Sequence, residues 1–165
     1  GFETAEEGYE IIMAVGKKAA EDPRKCLLSK EWEQAVTANI LLSGMASFEG
    51  INTLPAAAAH SFANGLTVLP RASGLLHGEA VGLGLLVQEE ILIAHGGDKK
   101  PQRGLKEFLK SIGSPVCLSE TGIIKLNPDE MQKVTDKAFT PGESIYSLPF
   151  KATKEEFLEA IQRIN

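Results

Sequence analysis

Apolar residues recur along most of this chain at intervals of three and four, the spacing of one face of an α-helix. Tyr9, Ile12, Val15 and Ala19 form the first such stripe, behind Thr4-Ala5-Glu6-Glu7, which has capping-box spacing. That helix is expected to stop near Asp22-Pro23. Ser29 can cap a second helix from Lys30 to about Ala46, with Trp32, Val36 and Ile40 inward. Residues 48–53 read as a loop. Pro55 suits the first turn of a third helix running to about Leu69, and the stretch from Pro70 to Gly74 breaks it. A fourth helix is expected from about His77 to His95, ended by Gly96-Gly97. Leu105, Phe108, Leu109 and Ile112 mark an amphipathic helix closed by Gly113 and Pro115. Asn127-Pro128 opens another, to about Phe139. A second capping box, Thr153-Lys154-Glu155-Glu156, opens a last helix with Phe157, Ile161 and Ile164 inward. No segment alternates long enough for a strand, and there is no internal repeat or low-complexity tract. The expectation is an all-α fold, one helical bundle of about six to eight helices over residues 1–165.

Composition narrows the function classes. A chain of 165 residues is the size of one ordinary domain. Its net charge is −5 and no basic cluster exceeds two adjacent residues, which argues against nucleic acid or an anionic membrane as partner. The longest apolar stretch, Ala80 to Val87, is far short of the ~20 residues that span a bilayer. Gly1-Phe2-Glu3-Thr4 has neither the basic start nor the apolar core of a signal peptide. The absent initiator Met points to a truncated or processed chain. Cys26 and Cys117 lack CxxC spacing and read as two reduced thiols in a cytoplasmic protein.

The candidate chemistry lies in two histidines 17 residues apart. His60 sits in Ala56-Ala-Ala-Ala-His60-Ser-Phe-Ala-Asn-Gly-Leu66, and His77 in Leu75-Leu-His77-Gly-Glu-Ala-Val-Gly-Leu-Gly84. Histidine is the commonest side chain for holding a catalytic metal. A core histidine or a helix cap accounts for either one alone; joined by one short connection, the two can share an ion. The small residues around them, with two glycines inside one helix, let backbones approach closely. Such packing would hold the imidazoles in fixed geometry. His95, at the end of its helix, reads as structural. Glu79 and Glu49 are nearby acids whose spacing fits solvated or capping charges better than a ligand. Gly82-Leu83-Gly84 lies within a helix pattern, and no GxGxxG follows a predicted strand.

The stretches His60-Ser-Phe-Ala-Asn-Gly-Leu-Thr67 and Leu76-His77-Gly-Glu-Ala-Val81 resemble the C-terminal helical domain of the iron-containing alcohol dehydrogenase and glycerol dehydrogenase superfamily. Asn39-Ile-Leu-Leu-Ser-Gly44 fits as well. Glu143-Ser-Ile-Tyr-Ser-Leu-Pro149 looks most like the glycerol dehydrogenase group, including its hydroxycarboxylate branch. The resemblance implies that residues 1–165 form the metal-binding helical domain of a dehydroquinate synthase-like fold, lacking the N-terminal nucleotide-binding domain. It implies His60 and His77 as two ligands of a divalent metal, zinc or iron. A third ligand, an Asp, belongs to the region before this segment. The cofactor is NAD or NADP, and the substrate a small alcohol (glycerol, a polyol or a 2-hydroxy acid) or its carbonyl compound. Phe48, shortly before the first histidine, is a candidate for lining the substrate pocket, with a core position as the equal alternative. No further catalytic residue and no nucleotide-binding residue is assigned. The face that would meet the missing domain is expected to be left open, with apolar area that favours a homo-oligomer, and the chain alone is expected to be inactive.

Two alternatives stand beside this. Dehydroquinate synthases share a very similar Leu-His-Gly-Glu-Ala-Val stretch, but favour a second histidine soon after the first, where this chain has Ala63-Asn64. The other alternative is a catalytically silent helical module, freestanding or truncated.

Overall fold

The structure, a computed structural model, describes residues 2–25, 28–42, 44–45, 56–96, 104–123 and 125–165. Among these residues there are seven α-helices and no strand: α1 (Phe2–Glu21), α2 (Lys30–Thr37), α3 (Ala57–Leu66), α4 (His77–Ala94), α5 (Leu105–Ser111), α6 (Pro128–Ala138) and α7 (Lys154–Ile164). The all-α expectation holds. The chain divides into two compact units, residues 1–52 and 53–165.

In the first unit α1 packs against α2 and the turn that follows it. The Ser29 hydroxyl accepts from the Trp32 amide at 3.1 Å and so caps α2, as its sequence position predicts. The same hydroxyl donates to the carboxylate of Asp22, which is buried at the end of α1. Three expectations need correction here. Thr4 lies inside α1, which already begins at Phe2, so the Thr4–Glu7 spacing marks no cap. The α2 helix ends at Thr37, well short of Ala46, and passes into a wider π-turn over Ala38–Leu42. Ile40, on that turn, is exposed. The wider turn rotates every following side chain away from the 3.6-residue stripe, so Ile40 no longer follows Trp32 and Val36.

The second unit is built around α3. Eight of its ten residues are buried: Ala57, Ala58, Ala59, Ser61, Phe62, Ala63, Gly65 and Leu66. Helix α4 packs along it, α6 crosses it, and the turn Ser144–Ser147 lies against it. Phe62 on α3 meets Phe157 on α7, and Phe157 meets Phe139 edge-on at 5.5 Å. Helices α6 and α7 start as their sequences predict. The Asn127 side chain accepts from the Glu130 amide at 2.9 Å, and the Thr153 hydroxyl from the Glu156 amide at 3.2 Å. Helix α3 ends at Leu66, three residues before the expected Leu69. Pro70 disfavours the helical conformation in the residue preceding it, and Leu69 is extended, with ψ at 112°. Thr67, Val68 and Leu69 therefore leave the helix through tight turns that bond back to Asn64, Gly65 and Leu66.

Candidate functional site: a histidine pair on two locked helices

Wrapping α3 on nearly every side leaves one stripe accessible. His60 is partly exposed and Asn64, one turn on, is exposed; the other eight residues of the helix are buried. His60 is thus not part of the closed core. His77 is the first residue of α4 and is exposed. The intervening connection is tightened by a 3₁₀ turn at Pro70–Ala72 and tied to α6 by an Arg71–Glu130 ion pair of 2.6 Å. It returns the chain so that the two imidazoles lie side by side, their ring centroids 5.9 Å apart and their planes 24° from parallel.

Close backbone contact holds the two helices. A Cβ on Gly84 would stand 2.4 Å from the Ala59 carbonyl oxygen and 2.8 Å from the Ala59 Cα, so only glycine permits this α3–α4 approach. On the far side of α3, a Cβ on Gly65 would meet the Val134 carbonyl oxygen of α6 at 2.6 Å. The small residues expected to give tight packing do so here, and they flank His60 on either side.

Six side chains to which sequence reasoning gave no such role fix α3 further. The Gln88 side chain, 6% exposed on α4, accepts from the Ala58 and Ala59 amides at 2.9 and 3.2 Å. Helix α3 has no side-chain cap of its own at Ala56, so Gln88 takes the place of one. The buried Ser61 hydroxyl accepts from the Ile145 amide at 2.8 Å, and Ser144 donates to the Ala57 carbonyl at 2.7 Å. Asn64 donates to Glu143 at 2.8 Å, and Lys137 donates to the same carboxylate at 2.5 Å. Burial pushes the Glu143 carboxyl up, but the Asn64 amide and the Lys137 ammonium outweigh it and hold the group below its ordinary value. The Ser61/Asn64 stretch and the Glu143–Ile145 stretch, far apart in sequence, are therefore one clamp. Gln88 directly follows the apolar run Ala80–Val87 and precedes Glu89-Glu90, so nothing in the sequence set it apart from those charged neighbours. The serine contacts had no local signal.

The remaining candidates fall elsewhere. Glu79 accepts from the Leu76 amide at 3.1 Å and caps α4. His95 pairs with Glu156 at 3.0 Å and stacks on Phe150 at 4.0 Å, at the junction of α4 and α7. Phe48, Glu49 and Cys26 lie outside the described residues. Cys117 is a free thiol, 3.1 Å from the Ser119 hydroxyl. A cavity of about 350 Å³ is lined by Phe139, Tyr146, Phe150 and their neighbours and includes neither His60 nor His77.

The donor set can be tested against a metal by arithmetic. Two imidazoles bound to one ion at about 2.0–2.1 Å, at a tetrahedral angle, place their ring centroids roughly 5 Å apart. The observed 5.9 Å is within about an ångström of that, a gap that small side-chain rotations close. Among the described residues no cluster of three or more His, Cys, Asp or Glu side chains forms, so no acidic side chain joins the pair. No helix among the described residues is long and apolar enough to cross a membrane.

An all-helical domain with a solvent-accessible imidazole pair on two glycine-locked helices is the class that fold and site define. No protein-family model matches the chain. Individual proteins do. The glycerol dehydrogenase of Thermotoga maritima is 31% identical over 157 residues, covering 93% of this chain and 40% of its own length. The hydroxycarboxylate dehydrogenase A of Escherichia coli is 29% identical over 164 residues, covering 99% of this chain and 44% of its own. The crystal structure of a probable glycerol dehydrogenase from Sinorhizobium meliloti superposes with a TM-score of 0.80 at 30% identity, over 96% of this chain and 42% of that one. The chain belongs to the glycerol dehydrogenase superfamily of oxidoreductases and corresponds to its C-terminal helical part. It spans about two fifths of the length of these relatives.

Proposed function

We propose that this chain is the metal-binding helical part of a cytoplasmic, NAD(P)-dependent oxidoreductase that interconverts a small alcohol, glycerol above all, and its carbonyl compound. The single observation that carries the reading is the His60–His77 pair, two imidazoles 5.9 Å apart on helices held in backbone contact. In this reading His60 and His77 supply two nitrogen ligands to zinc or iron, and the acidic third ligand comes from outside the described residues. The bound ion supplies Lewis acidity to the substrate oxygen. The chain's own contribution is positional. Gln88, Gly84 and the Ser61–Asn64 clamp fix the helices that carry the imidazoles before anything binds, so only the two side chains turn when the site fills. The relatives named glycerol dehydrogenase favour a polyol, and the one named hydroxycarboxylate dehydrogenase keeps a 2-hydroxy acid open. A nucleotide-binding domain is the partner this reading requires, since the sequence carries no glycine-rich strand–turn–helix of its own. Phe48 remains the proposed pocket-lining residue, and self-association the proposed assembly.

The reading is tested by assaying NAD(P)H formation from glycerol, small diols and 2-hydroxy acids. The chain is assayed alone and fused behind everything that precedes its match in the Thermotoga relative, so that the acidic third ligand is supplied as well. No turnover is expected from the chain alone. The fusion is expected to turn over one of these substrates, to lose activity with EDTA and to regain it with zinc or iron. A folded fusion that binds NAD but oxidises none of the three, or a chain active alone, contradicts the reading.

A further inference from the structure

Helix α4 is apolar along its buried face except at Gln88, which is 6% exposed. A buried amide on such a helix is costly unless it is satisfied. Its oxygen receives two amides of the first turn of α3, those of Ala58 and Ala59, and His60 is the next residue along. Gln88 and His77 lie on the same helix, and Gly84, one turn before Gln88, is where α4 touches the Ala59 backbone. One side chain on the helix that bears one imidazole thus grips the turn that bears the other.

We propose that Gln88 is a positioning residue for the histidine pair: it sets the start of α3, and through it the placement of the His60 ring against His77. The metal part of this inference rests on the proposed function; the geometric part does not. Helix α3 has no N-terminal cap of its own, so deleting the Gln88 acceptor leaves two buried amides without it. They are most simply re-satisfied by fraying the first turn toward water. Fraying at Ala58 and Ala59 displaces His60 while His77, on the other side of the contact, stays in place. A residue that merely fills space would lower stability and leave the ring-to-ring distance unchanged.

The experiment compares wild type with Gln88→Met, which keeps the volume and deletes the acceptor, and Gln88→Glu, which keeps an acceptor oxygen. Two quantities are read on the 165-residue chain. One is the inter-ring nuclear Overhauser effect between His60 and His77 without metal. The other is the zinc dissociation constant by calorimetry. Gln88→Met is expected to lose the inter-ring signal and weaken zinc binding about tenfold, as one displaced ligand-positioning contact does. Gln88→Glu is expected to keep both near wild type. Should Gln88→Met not fold, Gln88→Asn, whose amide falls one methylene short of α3, is read in the same way. A folded acceptor-less variant with an unchanged inter-ring signal and unchanged zinc affinity overturns the role of Gln88 and leaves the metal reading standing. Zinc affinity no better in wild type than in His60→Ala overturns the metal reading, and the inter-ring signal then decides the positioning role by itself.

Discussion

Placing a methyl group at Gly84 tests whether α3 and α4 are locked by backbone contact. The added Cβ would lie 2.4 Å from the Ala59 carbonyl oxygen and 2.8 Å from its Cα. Both are backbone atoms and cannot rotate aside. Restoring ordinary contact of about 3.4 Å requires the helices to part by roughly 0.6–1 Å, and overpacking of this kind costs about 1–3 kcal/mol. Alanine's better helix propensity returns about 0.5–1 kcal/mol. Gly84→Ala should therefore be net destabilising by up to about 2.5 kcal/mol, a fall in Tm of up to roughly 10 °C for a chain of this size, and should lie about 1–3 kcal/mol below a glycine-to-alanine change that meets nothing. Gly78→Ala is the control. It lies on the same helix with nothing within 4 Å of its Cβ, and should be neutral to stabilising. Thermal and urea unfolding followed by circular dichroism measure both. A Gly84→Ala protein as stable as Gly78→Ala would refute the close-contact account, and with it the argument that the histidines are held rigidly.

Other outcomes follow from the clamp on α3. Ser61→Ala leaves the Ile145 amide without its acceptor in a buried position and should cost about 1–3 kcal/mol, read by urea unfolding. Glu143→Gln should destabilise at neutral pH by removing the Lys137 pair. Because the folded Glu143 carboxyl is held below its ordinary value of 4.5, its stabilising contribution is present above that value and is lost as pH falls through the lower folded value. Unfolding curves of wild type and Glu143→Gln should accordingly converge on acidification from pH 7 to below 4.5. A gap that stays constant across that range would show that the charge on Glu143 contributes nothing.

Much of the fold was legible because helix caps are local. Ser29, Asn127 and Thr153 each bond an amide three residues on, and each marks a true helix start. The same locality misleads at Thr4, where the spacing recurs inside a helix that has already begun. The π-turn after Thr37 has no such signature, so the α2 boundary was missed. The two histidines stood out in the sequence because they sit among small residues, and the structure brings their rings together. The close helix contact that holds them was legible from the small residues, but the hydrogen bonds that add to it were not. Gln88 reaches α3 across 30 residues, and Ser144 reaches it across 87. Those bonds exist only once the helices have packed, and no pattern of spacing encodes them. The helix without a cap at Ala56 was the one local hint that a capping group had to arrive from elsewhere.

The central claim is that His60 and His77 act as one two-nitrogen site. Titrating zinc by calorimetry into wild type, His60→Ala and His77→Ala tests it most directly. The account predicts measurable binding to wild type and a loss of at least tenfold in each variant, because removing either ring leaves a single imidazole ligand. Equal affinity in all three proteins would contradict it.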